Sequence, residues 1–272
     1  MASDNEKLTF WDHLEVLRGV IFRILIAAFV TFIAVFCIKE PLFRLVMAPS
    51  QSDFILYRTI AQIASGMGVD ADSLQNFEIE IFNTKLTAQF MIHMKMAFYC
   101  GLIAVLPYTL YLLFGFISPA LYQHEKRESR KVVVWSYILF MTGIALDYVL
   151  IFPLAFRFLG TYQVSPDIPN VIDLDSYINL LVTLTLMMGV LFELPILAWF
   201  LARLGIVNAD FMKKYRKHAV MVILVIAAII TPTTDVFTLT IVTLPIYLLY
   251  EASIGIVSRV NPRQPDIEEA EE

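Results

Sequence analysis

Long apolar runs separated by short polar stretches organise this chain. Residues 20–38, 97–114, 132–152 and 178–201 each approach the twenty or so mostly apolar residues of a membrane-spanning helix. Two shorter runs follow, 219–230 and 236–250, with the polar stretch TPTTD between them. At about 1.5 Å per residue they reach only about 18 and 22 Å, against a hydrocarbon core of about 30 Å. The pair is therefore either a re-entrant hairpin or two short spans in a locally thinned bilayer, and the second reading is preferred. Thr231-Pro232 is expected to stop the fifth run, and Asp235 to cap the sixth. The pattern thus predicts an all-α polytopic membrane protein of six spanning helices, the last two short, forming one integral membrane domain over residues 1–272.

Between the spans, the polar positions also carry a pattern. Residues 1–19 read as a cytoplasmic amphipathic helix, with Phe10, Leu14, Leu17 and Ile21 on one stripe and Asp12, Glu15 and Arg18 on another. As a plain surface helix it would carry an internal Glu15–Arg18 pair. The long segment 39–95 contains a second amphipathic stretch, DFILYRTIAQIASGM. It fits an interfacial helix resting on the membrane, or a cap packed over the mouth of the bundle. No basic leader precedes the first span, so a cleaved signal peptide is not expected.

Composition agrees with the membrane class. Of the 272 residues, 58% are apolar and 17% charged, and mean hydropathy is +0.71. These values exclude a disordered chain and an ordinary soluble domain. The net charge of −5 gives no basic surface for nucleic acid, and five acidic residues crowd the tail 260–272. With the N-terminus placed in the cytoplasm, fourteen of the twenty Lys and Arg residues fall inside and six outside, which predicts both termini inside. Cys37 and Cys100 lie in apolar runs without metal-ligand spacing. There is no HExxH, GxSxG or phosphate-binding loop, and an enzyme, a metal site or a bound cofactor is not expected.

Candidate chemistry rests on a few polar residues. Glu193, in VLFELPIL, lies eight residues inside the fourth run, where a charged side chain costs about 2.5–3.5 kcal/mol to insert. Such residues face a bundle interior or a wet cavity, and Pro195 is expected to bend the helix beside it. Asp147 lies nearer the outer end of the third run and reads as a group bathed by interfacial water. The loop GFISPALYQHEKRESR, with His124 and Glu125, is either a solvated positive-inside loop or a site for a cationic ligand. From pattern alone, a proton-coupled secondary transporter of a small solute with Glu193 as relay fits well, and so does an inert assembly scaffold.

The motifs themselves, taken in order, resemble the TatC family of twin-arginine translocase receptors. HLEVLR at 13–18 is similar to the family's HLxELR, and PLFRLVMAP at 41–49 to its outer stretch closing on a proline, here Pro49. FISPALYQHEKR at 116–127 resembles the most specific family motif. GIALDYVLIFPLAFRFL at 143–159, FELP at 192–195 and ITPTTDVF with LPIYLLYE at 230–251 resemble the later ones. The resemblance covers nearly the whole chain.

It implies a cupped bundle of six helices in the cytoplasmic membrane of a prokaryote. Its function would be to bind signal peptides bearing two arginines and, with small single-span TatA-like and TatB-like subunits, to export folded proteins on the proton-motive force. Homo-oligomers within the complex are also implied. Carried over by motif, Glu125 is the arginine-binding carboxylate, with Phe116, Pro119, Tyr122 and His124 shaping its loop and Arg18 matching the motif arginine. A guanidinium fork suits a carboxylate, and lysine lacks that fork. Glu193 and Pro195 would line the intramembrane groove, with Pro49 and Asp235 on the outer side. Three departures stand out. Val16 occupies the place of the family's glutamate, with Glu15 one position earlier and rotated about 100° on a helix. Thr238-Leu239 replaces a polar pair in the last helix. The outer segment between the first two spans is longer than is typical.

Overall fold

The computed structural model describes residues 10–66, 79–117, 126–163, 165, 170–231 and 235–260. Among them, five helical stretches are long and apolar enough to cross a membrane: Leu14–Phe36, Ala88–Leu113, Val132–Thr161, Leu174–Arg203 and Val236–Val257. The chain divides into two compact units. One comprises residues 1–46 and 87–138, the other 47–86 and 139–272.

The first unit is built on an antiparallel hairpin of α1 (Phe10–Phe36) and α4 (Ala88–Ile117). α1 is unbroken over 27 residues, so the N-terminal amphipathic stretch and the first span are one helix. The hairpin closes where Gly101 lets the backbones meet: a Cβ there would come within 2.9 Å of the Phe32 nitrogen. Thr31 Oγ1 donates to the Gly101 carbonyl at 3.0 Å in the same place. Small residues and interhelical hydroxyl bonds are how helices associate without a hydrophobic drive. Further along, His93 stacks on Phe36 with ring centroids 4.2 Å apart. α2 (Lys39–Met47) starts three residues after α1 ends. α4 begins at Ala88, within the stretch 39–95.

The second unit starts with a 3₁₀ turn (Ala48–Ser50) and α3 (Ile55–Gly66). It continues with the end of α5 (Lys126–Leu146), a π-helical turn (Asp147–Ile151) and α6 (Phe152–Thr161). Pro153 has no N–H for the Val149 carbonyl, which favours this widened turn; the Phe152 N–H reaches back to the Asp147 carbonyl. Two-residue strands β1 (Ile81–Phe82) and β2 (Ile172–Asp173) pair in parallel, with Ile81 opposite Ile172, a small addition to the all-helical expectation.

α7 (Leu174–Leu191) and α8 (Leu194–Arg203) are the two halves of the fourth span, broken at Phe192–Glu193. Pro195 removes the N–H that the Leu191 carbonyl would take, so the bend expected from the sequence is present. Gly205, with φ of 72°, ends α8: the Ile206 N–H reaches the Leu201 carbonyl and the Gly205 N–H the Ala202 carbonyl. After α9 (Ala209–Lys214), α10 (Arg216–Ile230) has 15 residues and is short as expected.

α11 (Val236–Val257) corrects the sequence reading. Its 22 residues are not short, because the helix continues beyond the apolar run that ends at Tyr250. Glu251 is accommodated there by Arg216, at 2.7 Å, and by the Tyr247 hydroxyl, at 3.1 Å. Ser253 returns its hydroxyl to the Leu249 carbonyl. Asp235 caps the helix as expected, accepting the Thr238 N–H at 2.7 Å.

Candidate functional site

In the first unit, Glu15 and Arg18 are exposed on α1, and Phe116 is half-buried in the last turn of α4. The antiparallel register set by Thr31 and Gly101 carries Phe116 to the level of Glu15 and Val16 at the same end of the hairpin. No ion pair joins Glu15 to Arg18 among the described residues, so the internal pair of a plain surface helix is not formed. Val16 is itself 48% exposed, leaving both it and Glu15 open. Glu125, His124, Pro119 and Tyr122 lie outside the described residues, in the stretch 118–125 that follows Ile117 in sequence.

In the second unit, α5 and α7 run antiparallel at close range. A Cβ on Gly189 would meet the Phe140 ring at 2.8 Å. One on Gly143 would meet the Met188 carbonyl oxygen at 2.6 Å and the Phe192 Cβ at 2.9 Å. These two glycines bring the helices together beside the break that holds Glu193. Glu193 is half-buried at the start of α8, and its carbonyl receives the Ile196 and Leu197 N–H groups at 3.0 and 2.9 Å. Pro195 is buried beneath it.

The same helix pair holds a residue whose sequence reading is overturned. Asp147 is not bathed by water: it is 0% exposed. Thr185 Oγ1 donates to its Oδ2 at 2.7 Å. The pairing follows from the register already set by Gly143 and Met188, one turn away. Only the tertiary pairing with Thr185 reveals it, although an Asp within an apolar run is itself a signal.

Outside these spans, Pro49 is buried in the 3₁₀ turn. Tyr57, which sequence reasoning passed over, is 0% exposed; its hydroxyl donates to the Pro153 carbonyl at 2.9 Å and lies 3.4 Å from that of Pro49. Burial pushes the Tyr57 phenol well above its ordinary pKa, against the lowering pull of Arg157, so the group remains a donor. Phe54, Leu56 and Tyr57 pack with Tyr148 and Leu154. α3 therefore packs on the π turn and on α6. Asp235 is half-buried, and beside it Phe237 stacks on Phe158 at 4.6 Å. No cluster of His, Cys, Asp or Glu that could hold a metal occurs among the described residues.

Comparison with known proteins bears on the whole arrangement. Residues 12–245 match the family model of the Sec-independent protein translocase protein (TatC). The TatC protein of Blattabacterium sp. subsp. Periplaneta americana is 32% identical over 97% of this chain and 100% of its own. That of Desulforapulum autotrophicum is 33% identical over 100% of this chain and 92% of its own. A crystal structure of the twin-arginine translocase receptor TatC in DDM superposes with a TM-score of 0.72 at 29% identity, covering 90% of this chain and 99% of the other.

Proposed function

The chain belongs to the TatC family of Sec-independent protein translocase proteins, and we propose that it is the signal-peptide receptor and core subunit of a twin-arginine translocase. In this reading it sits in the cytoplasmic membrane of a prokaryote with six spanning helices in a cupped bundle and both termini inside. It captures folded precursor proteins by their twin-arginine signals and, with small TatA-like and TatB-like subunits, passes them outward on the proton-motive force. It works as several copies in one complex, and its role is recognition and transport, not catalysis.

The observation that carries the reading is the family match over residues 12–245. The chemistry of the loop end of the α1–α4 hairpin supports it. Glu125 supplies the carboxylate for the arginine fork, within a loop shaped by Phe116, Pro119, Tyr122 and His124. Glu15 stands in for the family glutamate displaced by Val16, and Arg18 orders the same end of α1. Glu193 and Pro195 line the groove that receives the apolar part of the signal, while Pro49 and Asp235 fix the outer side against partner subunits. The long outer segment, which contains α3, belongs to that same face.

The test is capture of the protein in native membranes by a photo-cross-linking signal peptide bearing Arg-Arg, beside a Lys-Lys version. Capture by Arg-Arg, lost with Lys-Lys and lost again in Glu125→Gln, supports receptor and site together. Equal capture of both peptides overturns the reading.

A further inference from the structure

Asp147 lies midway along the 30-residue stretch Val132–Thr161, in the π turn between α5 and α6. It is 0% exposed, and among the described residues Thr185 Oγ1 donates to its Oδ2 at 2.7 Å. Oδ1 is equally buried and meets no donor among the described residues. Nothing in the receptor reading uses this group. Ionisable residues inside spans are costly there, and they mark proton relays and ion paths.

We propose that Asp147, held by Thr185, is a proton-exchange site inside the membrane portion of this protein. A hydronium ion delivers its proton to Oδ1, leaving water and a neutral carboxyl group; in release, water takes the proton back and leaves the carboxylate. Thr185 serves both states: its hydroxyl donates to Oδ2 when the group is ionised and keeps the same oxygen oriented when it is neutral. The two states ask different things of the surrounding helices, since a full charge requires donors or water and a neutral acid does not. The change of charge therefore acts on the α5–α7 contact at Gly143 and Gly189. Through α7 it reaches the Phe192–Glu193 break, about 12 Å along the helix from Thr185.

Other titratable groups on the elements packed against this turn are already occupied. Tyr148, on the turn itself, packs edge-on to Phe54. From α3, Tyr57 bonds the Pro153 carbonyl. From α6, Arg157 lies over the Tyr57 ring. From α7, Tyr177 packs against Phe152 and Phe156. α11 carries Tyr247, Tyr250 and Glu251 on its far turns, bonded among themselves and to Arg216 and Met212. None of them hydrogen-bonds Asp147.

The inference rests on the translocase reading for the use made of the proton, so the experiment separates the two. The whole protein, with its partner subunits in inverted membrane vesicles, is assayed for twin-arginine peptide capture and for export across a range of pH. Asp147→Asn keeps the acceptor for Thr185 and the side-chain volume but exchanges no proton. Capture should be unchanged, while export falls by about tenfold or more and loses its pH response. Asp147→Glu should retain export with a displaced pH profile. Infrared difference spectra of aspartate-labelled protein should show a carboxyl band that titrates in the unmodified chain, vanishes in Asp147→Asn and moves in Thr185→Val. Export by Asp147→Asn at the unmodified rate and pH response overturns the proposal and leaves the receptor intact; loss of peptide capture in the unmodified chain overturns the receptor reading instead. If Asp147→Asn fails to accumulate, the Thr185→Val spectrum decides: an unmoved band overturns the site.

Discussion

The Tyr57 hydroxyl reaches the carbonyl of Pro153 across 96 positions of sequence, at 2.9 Å and fully buried. One end of α3 is thereby fixed to the first turn of α6, with the carbonyl of Pro49 on the same hydroxyl at 3.4 Å. Tyr57→Phe removes the donor and leaves the ring. The expected cost is about 1 kcal/mol, the net worth of one hydrogen bond with a buried acceptor left behind. Thermal unfolding in detergent measures it, and proteolysis within the outer segment should accelerate in parallel.

Gly143 and Gly115 make a matched pair. A methyl group on Gly143 would meet a backbone oxygen at 2.6 Å, which cannot move aside without moving α7. Gly143→Ala should destabilise by about 1–3 kcal/mol, as overpacking does elsewhere. Gly115 has no heavy atom within 4 Å of the same added carbon. Gly115→Ala should be neutral or stabilising by up to about 1 kcal/mol. Equal melting temperatures for the two variants would contradict the close α5–α7 approach.

Glu193→Leu replaces a carboxylate that costs about 2.5–3.5 kcal/mol to insert at a helix centre. Insertion should become more favourable and the protein should accumulate normally. Export should nevertheless fall if Glu193 lines the proposed signal-peptide groove beside the Phe192–Glu193 break. Quantifying both in the same membranes checks the claim; full export would make the residue structural.

Arg216 and Glu251 form a close pair with side chains 47% and 29% exposed. Pairs so open to solvent contribute about 0.2–1 kcal/mol. Arg216→Met should therefore leave folding nearly intact, and a double-mutant cycle with Glu251→Gln should return a coupling in that range. A larger coupling would indicate that the end of α11 is less accessible than its exposure implies.

Hydropathy made most of the spans legible, since a run of twenty apolar residues has few other homes. Local chemistry made Asp235 legible as a cap and Pro195 as the cause of the break in the fourth span. What escaped was whatever depended on a partner far along the chain. Asp147 read as an interfacial residue because nothing near it in sequence names Thr185, 38 positions away. The last helix read as short because its apolar run ends at Tyr250, whereas the helix continues through Glu251, which pairs with Arg216, 35 positions earlier. Tyr57 drew no reading from the sequence, because its acceptor, the Pro153 carbonyl, lies 96 positions away. The motif carrying Glu125 was legible as a resemblance, and the role proposed for it rests on the fork of a guanidinium, not on any local periodicity.

α1 is a rod of 27 residues, about 40 Å from end to end, without a proline or a break. Glu15 and Arg18 stand near one end, and Thr31 grips Gly101 near the other. A rod with no joint cannot absorb a twist locally. In the proposed receptor, a twist applied by a signal peptide at the Glu15 end would therefore be carried along the rod to the Thr31 grip, as a lever carries its load.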